Sequence, residues 1–246
     1  WDLKSRRMLE CYRHRGGVTQ VALNVDKGLA VSAGFDGQLR LWNLAGLQSR
    51  KKLWGVFGKK CLHRFSPDCG KVSAVALGLE GRHLVAGGED HSVYLWDLQT
   101  PRRPPHVFPG HSAPVTAVAL SPDGKWAISS SDSHRDNLFI WDIEKREKLL
   151  SFSAIKQGIR SMAVAGNAYW LFLAAADGVI HVWDLKWRRR RVCSLEGHTG
   201  QVSGLTATYQ GDLALSSAAD GTVRVWRNNF VWPLIREQKY LKVFSL

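Results

Sequence analysis

The chain is poor in the residues that staple, ligate or cut. Its 246 residues include four cysteines, Cys11, Cys61, Cys69 and Cys193, with no C-x-x-C pair among them. Neither a zinc site nor a disulfide framework is readable from that, and each thiol is expected to sit as a small apolar residue in or beside a strand. There is no N-x-[ST] sequon, no leading apolar segment of signal type and no long apolar run. No membrane span is expected, and a reducing, cytoplasmic setting is; the start at Trp1 rather than Met leaves an upstream address open. Catalytic signatures are missing too. There is no H-E-x-x-H and no G-x-S-x-G, and "GKVS" at 70–73 ends like a phosphate-binding loop but has Phe65 where the first glycine is required. No enzyme activity, cofactor or metal is therefore expected. Acidic residues are the scarcer sign, 21 against 34 Lys and Arg, for a net charge of +13. That balance admits acidic partners, including nucleic acid and anionic surfaces, without choosing among them.

Tryptophan, by contrast, is abundant. Of eleven, six (Trp1, Trp42, Trp96, Trp141, Trp183 and Trp226) recur at intervals of 41, 54, 45, 42 and 43 residues. Five of them close related stretches: "DGQLRLW", "DHSVYLW", "DNLFIW", "DGVIHVW" and "DGTVRVW". A period near 43 residues fits a four-stranded propeller blade better than the shorter helical repeats. Each period shows one order, clearest in the last: "EGHTGQVSGLTAT", then "GDLALSSAADG", then "TVRVW". These read as an alternating strand, a strand of small residues and a third strand of period two, joined by turns whose Asp and Gly supply positive φ. After each Trp a polar stretch leads to a short apolar run, such as "KKCLHRF", "HVF", "KLLSF" and "RRVCSL", which reads as a fourth, outer strand. Such a sheet buries little alone, so the units must stack radially.

The chain resembles the WD repeat proteins, through "WD" at 1, 96, 141 and 183, "GH" at 110 and 197, and "SPDG" at 121–124. The expected fold is an all-β, WD40-type β-propeller spanning 1–246, with five complete four-stranded blades and residues 227–246 as outer strand and tail. Two accounts of closure stay open. Either "RRMLECY" at 6–12 closes a ring of five, or the chain is part of a larger, seven-bladed propeller. The tail is expected to furnish an outer strand at 231–235, which removes the need for circular closure.

The resemblance also implies a hydrogen-bonded set in each blade: a His before the first strand, a Ser or Thr in the second, the turn Asp and the Trp. These are His198, Ser216 or Ser217, Asp220 and Trp226 in the last unit, and His14, Ser32, Asp36 and Trp42 in the first. His111, Trp141, Asp90, Trp96, Asp177 and Trp183 stand at matching places. A Ser, a His and an Asp together suggest a nucleophilic triad, but recurrence beside a core Trp in every period makes them structural. Departures are visible. Asp68 and Ile155 stand where the His should be, and "DSHRDNLFIW" puts Arg135 at the Asp place with Asp136 one residue late.

By the same resemblance the chain is a non-enzymatic platform for protein–protein interaction, a scaffold or sensor within a larger signalling protein. Its partner-contacting positions flank the first-strand Val or Ile and precede the turn Asp. They include Phe35, Arg160, Lys71, Glu89, Thr19, Thr116 and Gln201, with Ser73, Ser203 and His134 at equivalent places. Phe35 and Arg160 are the expected anchors, since aromatic and Arg residues dominate interface energetics. The alternative is nucleic-acid binding, RNA above all, by a basic rim that includes Arg188, Arg189, Arg190 and Arg191, with Trp54 and Trp187 for stacking. The same charges equally serve to protect outer strand edges.

Overall fold

A computed structural model of the chain describes residues 8, 11, 14, 17–44, 61–133, 135–156, 158–165, 170–185, 190–208, 210–227 and 243–245. Its strands form five antiparallel sheets of four, each paired in chain order. Blade 1 comprises β1 (Val18–Asn24), β2 (Leu29–Gly34), β3 (Leu39–Asn43) and β4 (Cys61–Phe65). Blade 2 comprises β5 (Val72–Leu77), β6 (His83–Gly88), β7 (Val93–Asp97) and β8 (His106–Phe108). Blade 3 comprises β9 (Val115–Leu120), β10 (Trp126–Ser131), β11 (Leu138–Asp142) and β12 (Glu147–Phe152). Blade 4 comprises β13 (Ile159–Ala165), β14 (Trp170–Ala175), β15 (Ile180–Asp184) and β16 (Arg190–Leu195). Blade 5 comprises β17 (Val202–Ala207), β18 (Leu213–Ala218), β19 (Val223–Arg227) and β20 (Val243–Ser245). The architecture is a propeller of five blades.

The second strands show why the sequence folds this way. "WLFLAA" of β14 has no polar alternation because both of its faces are covered, and Leu171, Phe172, Leu173, Ala174 and Ala175 are all buried. One face packs towards the preceding blade and the other towards the next, so the hydrophobic clusters straddle blade boundaries: Ile128 and Leu138 of blade 3 share a cluster with Ile159 and Leu171 of blade 4. Such double burial turns a period-two strand into a continuous apolar run.

In all five blades the ladder between the first two strands slips by one residue at its start, between Val18 and Gln20, Val72 and Ala74, Val115 and Ala117, Ile159 and Ser161, and Val202 and Gly204. A bulge of this kind re-aims the extra side chain. The residues so released are Thr19, Ser73, Thr116, Arg160 and Ser203. Three of them reach the next blade: Thr19 Oγ1 donates to the Val72 carbonyl at 2.9 Å, Ser73 Oγ to that of Val115, and Thr116 Oγ1 to that of Ile159 at 2.6 Å.

The inner strands follow one another around the axis as β1, β5, β9, β13 and β17, but β17 and β1 do not pack together as the other neighbours do. Among the described residues the ring is open there. The fourth strand of blade 5 is β20, with Val243 opposite Trp226 and Phe244 opposite Val225, whereas most of residues 6–12 lie outside the described residues. The outer strand of blade 5 is thus residues 243–245, and residues 231–235, expected to furnish it, lie outside the described residues. Local alternation proposes several short apolar runs, and register with β19 decides among them.

Candidate binding face

The turns between second and third strands are built by their Asp residues. Asp36, Asp90, Asp177 and Asp220 each accept, through Oδ1, the backbone N–H two residues on, at 2.9–3.2 Å. The intervening residue is left-handed: Gly37, Gly178 and Gly221 take this up freely, while in blade 2 His91 adopts φ 70° despite its Cβ.

Beneath the turns lie the polar ties. In blade 5 the Trp226 indole N–H donates to Ser216 Oγ at 2.7 Å, Ser216 lies 2.7 Å from His198 Nε2, and His198 Nδ1 lies 2.9 Å from Asp220 Oδ2. Donors balance when the serine hydroxyl donates to Nε2 and Nδ1–H donates to the carboxylate. The Thr222 hydroxyl and His198 hold Asp220 far below the ordinary carboxylate range. Blade 1 repeats the tie through Trp42, Ser32 and His14, at 2.7 and 2.5 Å, but His14 Nδ1 stands 3.7 Å from Asp36, beyond hydrogen-bond reach. There Arg40 donates to Asp36 Oδ2 at 3.1 Å instead.

Blades 2, 3 and 4 modify the tie. In blade 2 the space of the histidine is filled by Cys69 rather than by Asp68: a Cβ on Gly88 would meet Cys69, as one on Gly34 would meet His14. Asp68 stays exposed, since a lone carboxylate is costly to bury and a thiol is not. Burial pushes the Cys69 thiol up to about 11, and Tyr94 Oη donates to Asp90 Oδ2 at 2.5 Å. In blade 3 neither Arg135 nor Asp136 takes the acid's place, and both are exposed. His111 Nδ1 meets Ser131 Oγ at 3.0 Å, while Nε2 meets Ser129 Oγ, which accepts from Trp141. Burial without a carboxylate lowers His111 to about 4. Blade 4 has Leu173 and Ile155 at the Ser and His places, and the buried Trp183 N–H has no partner among the described residues.

These turns and the bulged ends of the inner strands share one face of the propeller. Backbone bonds tie them, Phe35 to Gly17, Glu89 to Lys71, Asp132 to Pro114, Ala176 to Gly158 and Ala219 to Gln201, each residue N–H donating to the second residue's carbonyl. Phe35 is 56 % exposed, and Lys71 of the next blade places Nζ 4.9 Å from its ring centroid. Gly17 leaves the room the ring occupies, since a Cβ there would lie 2.5 Å from it. Arg160 pairs across the blade boundary with Asp132, Nη1 to Oδ2 at 3.5 Å. Glu89 and Gln201 are exposed on the same face. The Thr19 and Thr116 hydroxyls, in contrast, are engaged between blades. In blade 3 the residue before the turn is Asp132 rather than the expected His134, which lies outside the described residues. Counting forward from the end of β10, instead of backward from Asp136, would have found it.

The basic rim is described only in part. Arg188 and Arg189, with Trp54 and Trp187, lie outside the described residues, as does the side chain of Arg190. Arg191 is exposed on β16, with Nη1 3.3 Å from His181 Nδ1.

The sequence model of the family described as "WD domain, G-beta repeat" matches this chain five times, at residues 5–43, 59–97, 102–142, 146–184 and 189–227. Among curated proteins it is similar to WD repeat-containing protein 18 of Bos taurus, at 28% identity over 76% of this chain and 47% of that protein. Small ribosomal subunit protein RACK1y of Oryza sativa subsp. japonica is 28% identical over 87% of this chain and 75% of its own length. Autophagy-related protein 16 of Arabidopsis thaliana is 25% identical over 97% of this chain and 45% of its own length. The chain thus spans about half the length of the first of these relatives.

Proposed function

Since the chain belongs to the WD domain, G-beta repeat family, whose propellers are in general non-enzymatic scaffolds, we propose that it is itself a non-catalytic platform that docks other proteins on the face carrying Phe35 and Arg160. The observation that carries this reading is Phe35, an exposed aromatic held in place by Gly17 below and Lys71 above, astride blades 1 and 2. An aromatic ring fixed before binding loses little freedom when a partner covers it, which is the property of an interface anchor. Arg160, oriented by Asp132, offers a guanidinium for a carboxylate or carbonyl. Lys71 and Arg160 are balanced by Glu89 and Asp132, so this face suits a partner of mixed character rather than a polyanion. An intracellular setting accords with four free cysteines.

The test is capture of partners on immobilised chain, native against Phe35→Ala with Arg160→Ala. The partner set is expected to be lost while the melting temperature is kept; partners that persist would sink this face. RNA and duplex DNA titrated in parallel address the rim: submicromolar binding that weakens steeply with salt would replace the platform reading with the nucleic-acid one.

A further inference from the structure

Antiparallel pairing sends the connections of each blade to two faces. Those from second to third strand, and from fourth strand to the next blade, lie on the Phe35 face; those from first to second and from third to fourth lie on the other. On this second face the two kinds are tied together, the Leu98 N–H donating to the Arg82 carbonyl at 2.7 Å and the Ile143 N–H to that of Lys125 at 2.9 Å. In blades 2 and 3 they carry Arg82, Arg102, Arg103, Lys125, Lys145 and Arg146. Carboxylates here are turned into their own turns: Glu80 Oε1 lies 2.9 Å from His83 Nδ1, and Asp123 Oδ1 accepts from Ser121 Oγ at 2.6 Å. Asp97 pairs with Arg82 at 2.8 Å and Glu147 with Lys145 at 3.9 Å, but no carboxylate among the described residues pairs with Arg102, Arg103, Lys125 or Arg146.

Three of these arginines gather at the seam between blades 2 and 3. Arg102 and Arg103 stand exposed in "PRRPP", 101–105, a link stiffened by its prolines and by the Arg103 N–H donating to the Thr100 carbonyl at 3.0 Å. The link runs into β8, where His106 bonds to the backbone of Arg146 from blade 3; burial, and after it the Arg146 charge, lowers the His106 pKa. Arg146 itself holds φ 58°, a left-handed conformation that its Cβ disfavours. Unpaired like charges so placed repel one another, and an anion over them removes that repulsion. Apolar tips stand on the same face. Leu79 is 48 % exposed and Val25 64 %, in adjacent turns that Asn24 joins by donating from Nδ2 to the Leu79 carbonyl at 2.9 Å.

We infer that this face docks on the headgroup layer of an anionic lipid bilayer, with Arg102, Arg103 and Arg146 over the acidic headgroups and Leu79 and Val25 entering the acyl boundary. Cations beside exposed apolar side chains are the combination that holds a protein at such an interface. Nucleic acid is the poorer occupant, because Phe35, the only exposed aromatic among the described residues, lies on the opposite face and leaves no ring here for base stacking. Docked in this way, the chain keeps its Phe35 face turned from the bilayer towards solution.

The test is co-sedimentation with phosphatidylcholine vesicles, with and without about one-third phosphatidylserine, native against Arg102→Gln with Arg103→Gln and Arg146→Gly. Glycine takes the left-handed conformation freely, so the variant is expected to keep its melting temperature, and a loss of binding is then not a loss of fold. The native chain is expected to sediment with the serine-lipid vesicles alone, and the variant to bind them at least about tenfold more weakly. Leu79→Ser should weaken binding about two- to tenfold. Phe35→Ala should leave it unchanged, which separates this inference from the reading of the opposite face. No sedimentation with either vesicle, or equal sedimentation with both, overturns the inference, as does binding that the triple variant retains. Capture of single-stranded RNA by the native chain and not by the variant, without sedimentation of vesicles, would assign the face to nucleic acid instead.

Discussion

Blades 4 and 5 pair their first three strands in the same register, and they are held together by different means. Blade 5 carries the complete tie from Trp226 through Ser216 and His198 to Asp220, yet one of its faces is open. Blade 4 has lost the tie to Leu173 and Ile155, and it is buried on both sides. The polar tie is therefore not a condition for forming a blade. It fixes the angle of a sheet whose packing is incomplete, and two-sided burial does the same work without it.

The largest test of this contrast compares equivalent residues. Phe172→Ala is expected to cost about 3–5 kcal/mol, because the ring is buried between two blades, and Leu215→Ala about 1 kcal/mol or less. Urea denaturation of both variants measures it, and equal losses would mean that the two blades are packed alike.

Next is a tie without its acid. Burial lowers His111 to about 4, below its value in the unfolded chain, so the unfolded state binds the extra proton as the solution is acidified. The stabilisation is full above about pH 6.5 and is lost as pH falls towards 4, by about 3 kcal/mol in all. His111→Asn should flatten the corresponding slope of stability against pH between 6.5 and 4.5.

Removing the centre of the complete tie comes third. Ser216→Ala strands the buried Trp226 N–H and His198 Nε2 and is expected to cost about 1–3 kcal/mol. In blade 4 the Trp183 N–H already has no partner among the described residues, so Leu173→Ala there should act through its cavity alone, with no change in Trp183 hydrogen bonding by indole NMR. The smallest effect concerns the clasp between blades. Thr116→Val should cost about 1 kcal/mol, and Ser203→Ala less, since the Ser203 bonds run within its own blade.

Much of the fold was legible because its signals are local. The recurring Trp, the Asp turns and the runs of small residues are written in consecutive residues, and each has one structural use. Sites were harder to read where spacing and space disagree. Spacing puts Asp68 at the histidine place of blade 2, but the space beside Gly88 already faces the Asp90 carboxylate and takes the uncharged Cys69. Spacing looks for an acid near Arg135 in blade 3, but a serine hydroxyl close enough to His111 is already present at Ser131. The bulge that turns Thr19 and Thr116 towards the next blade leaves no trace in composition, because it is a register shift between two strands.

The sequence by itself determined the blade: where its strands run, which turns join them, and which apolar residues must be covered. Periodicity and turn chemistry act within some tens of residues, and they specify a sheet without reference to its neighbours. Only the tertiary structure decided how those sheets meet. It chose residues 243–245 as the last outer strand, set Lys71 over Phe35 and Arg160 against Asp132, and left Val18 and Val223 bare while their counterparts were sealed. The reason is physical: identical side chains are core or surface according to whether another sheet lies against them, and that is a property of the assembled ring.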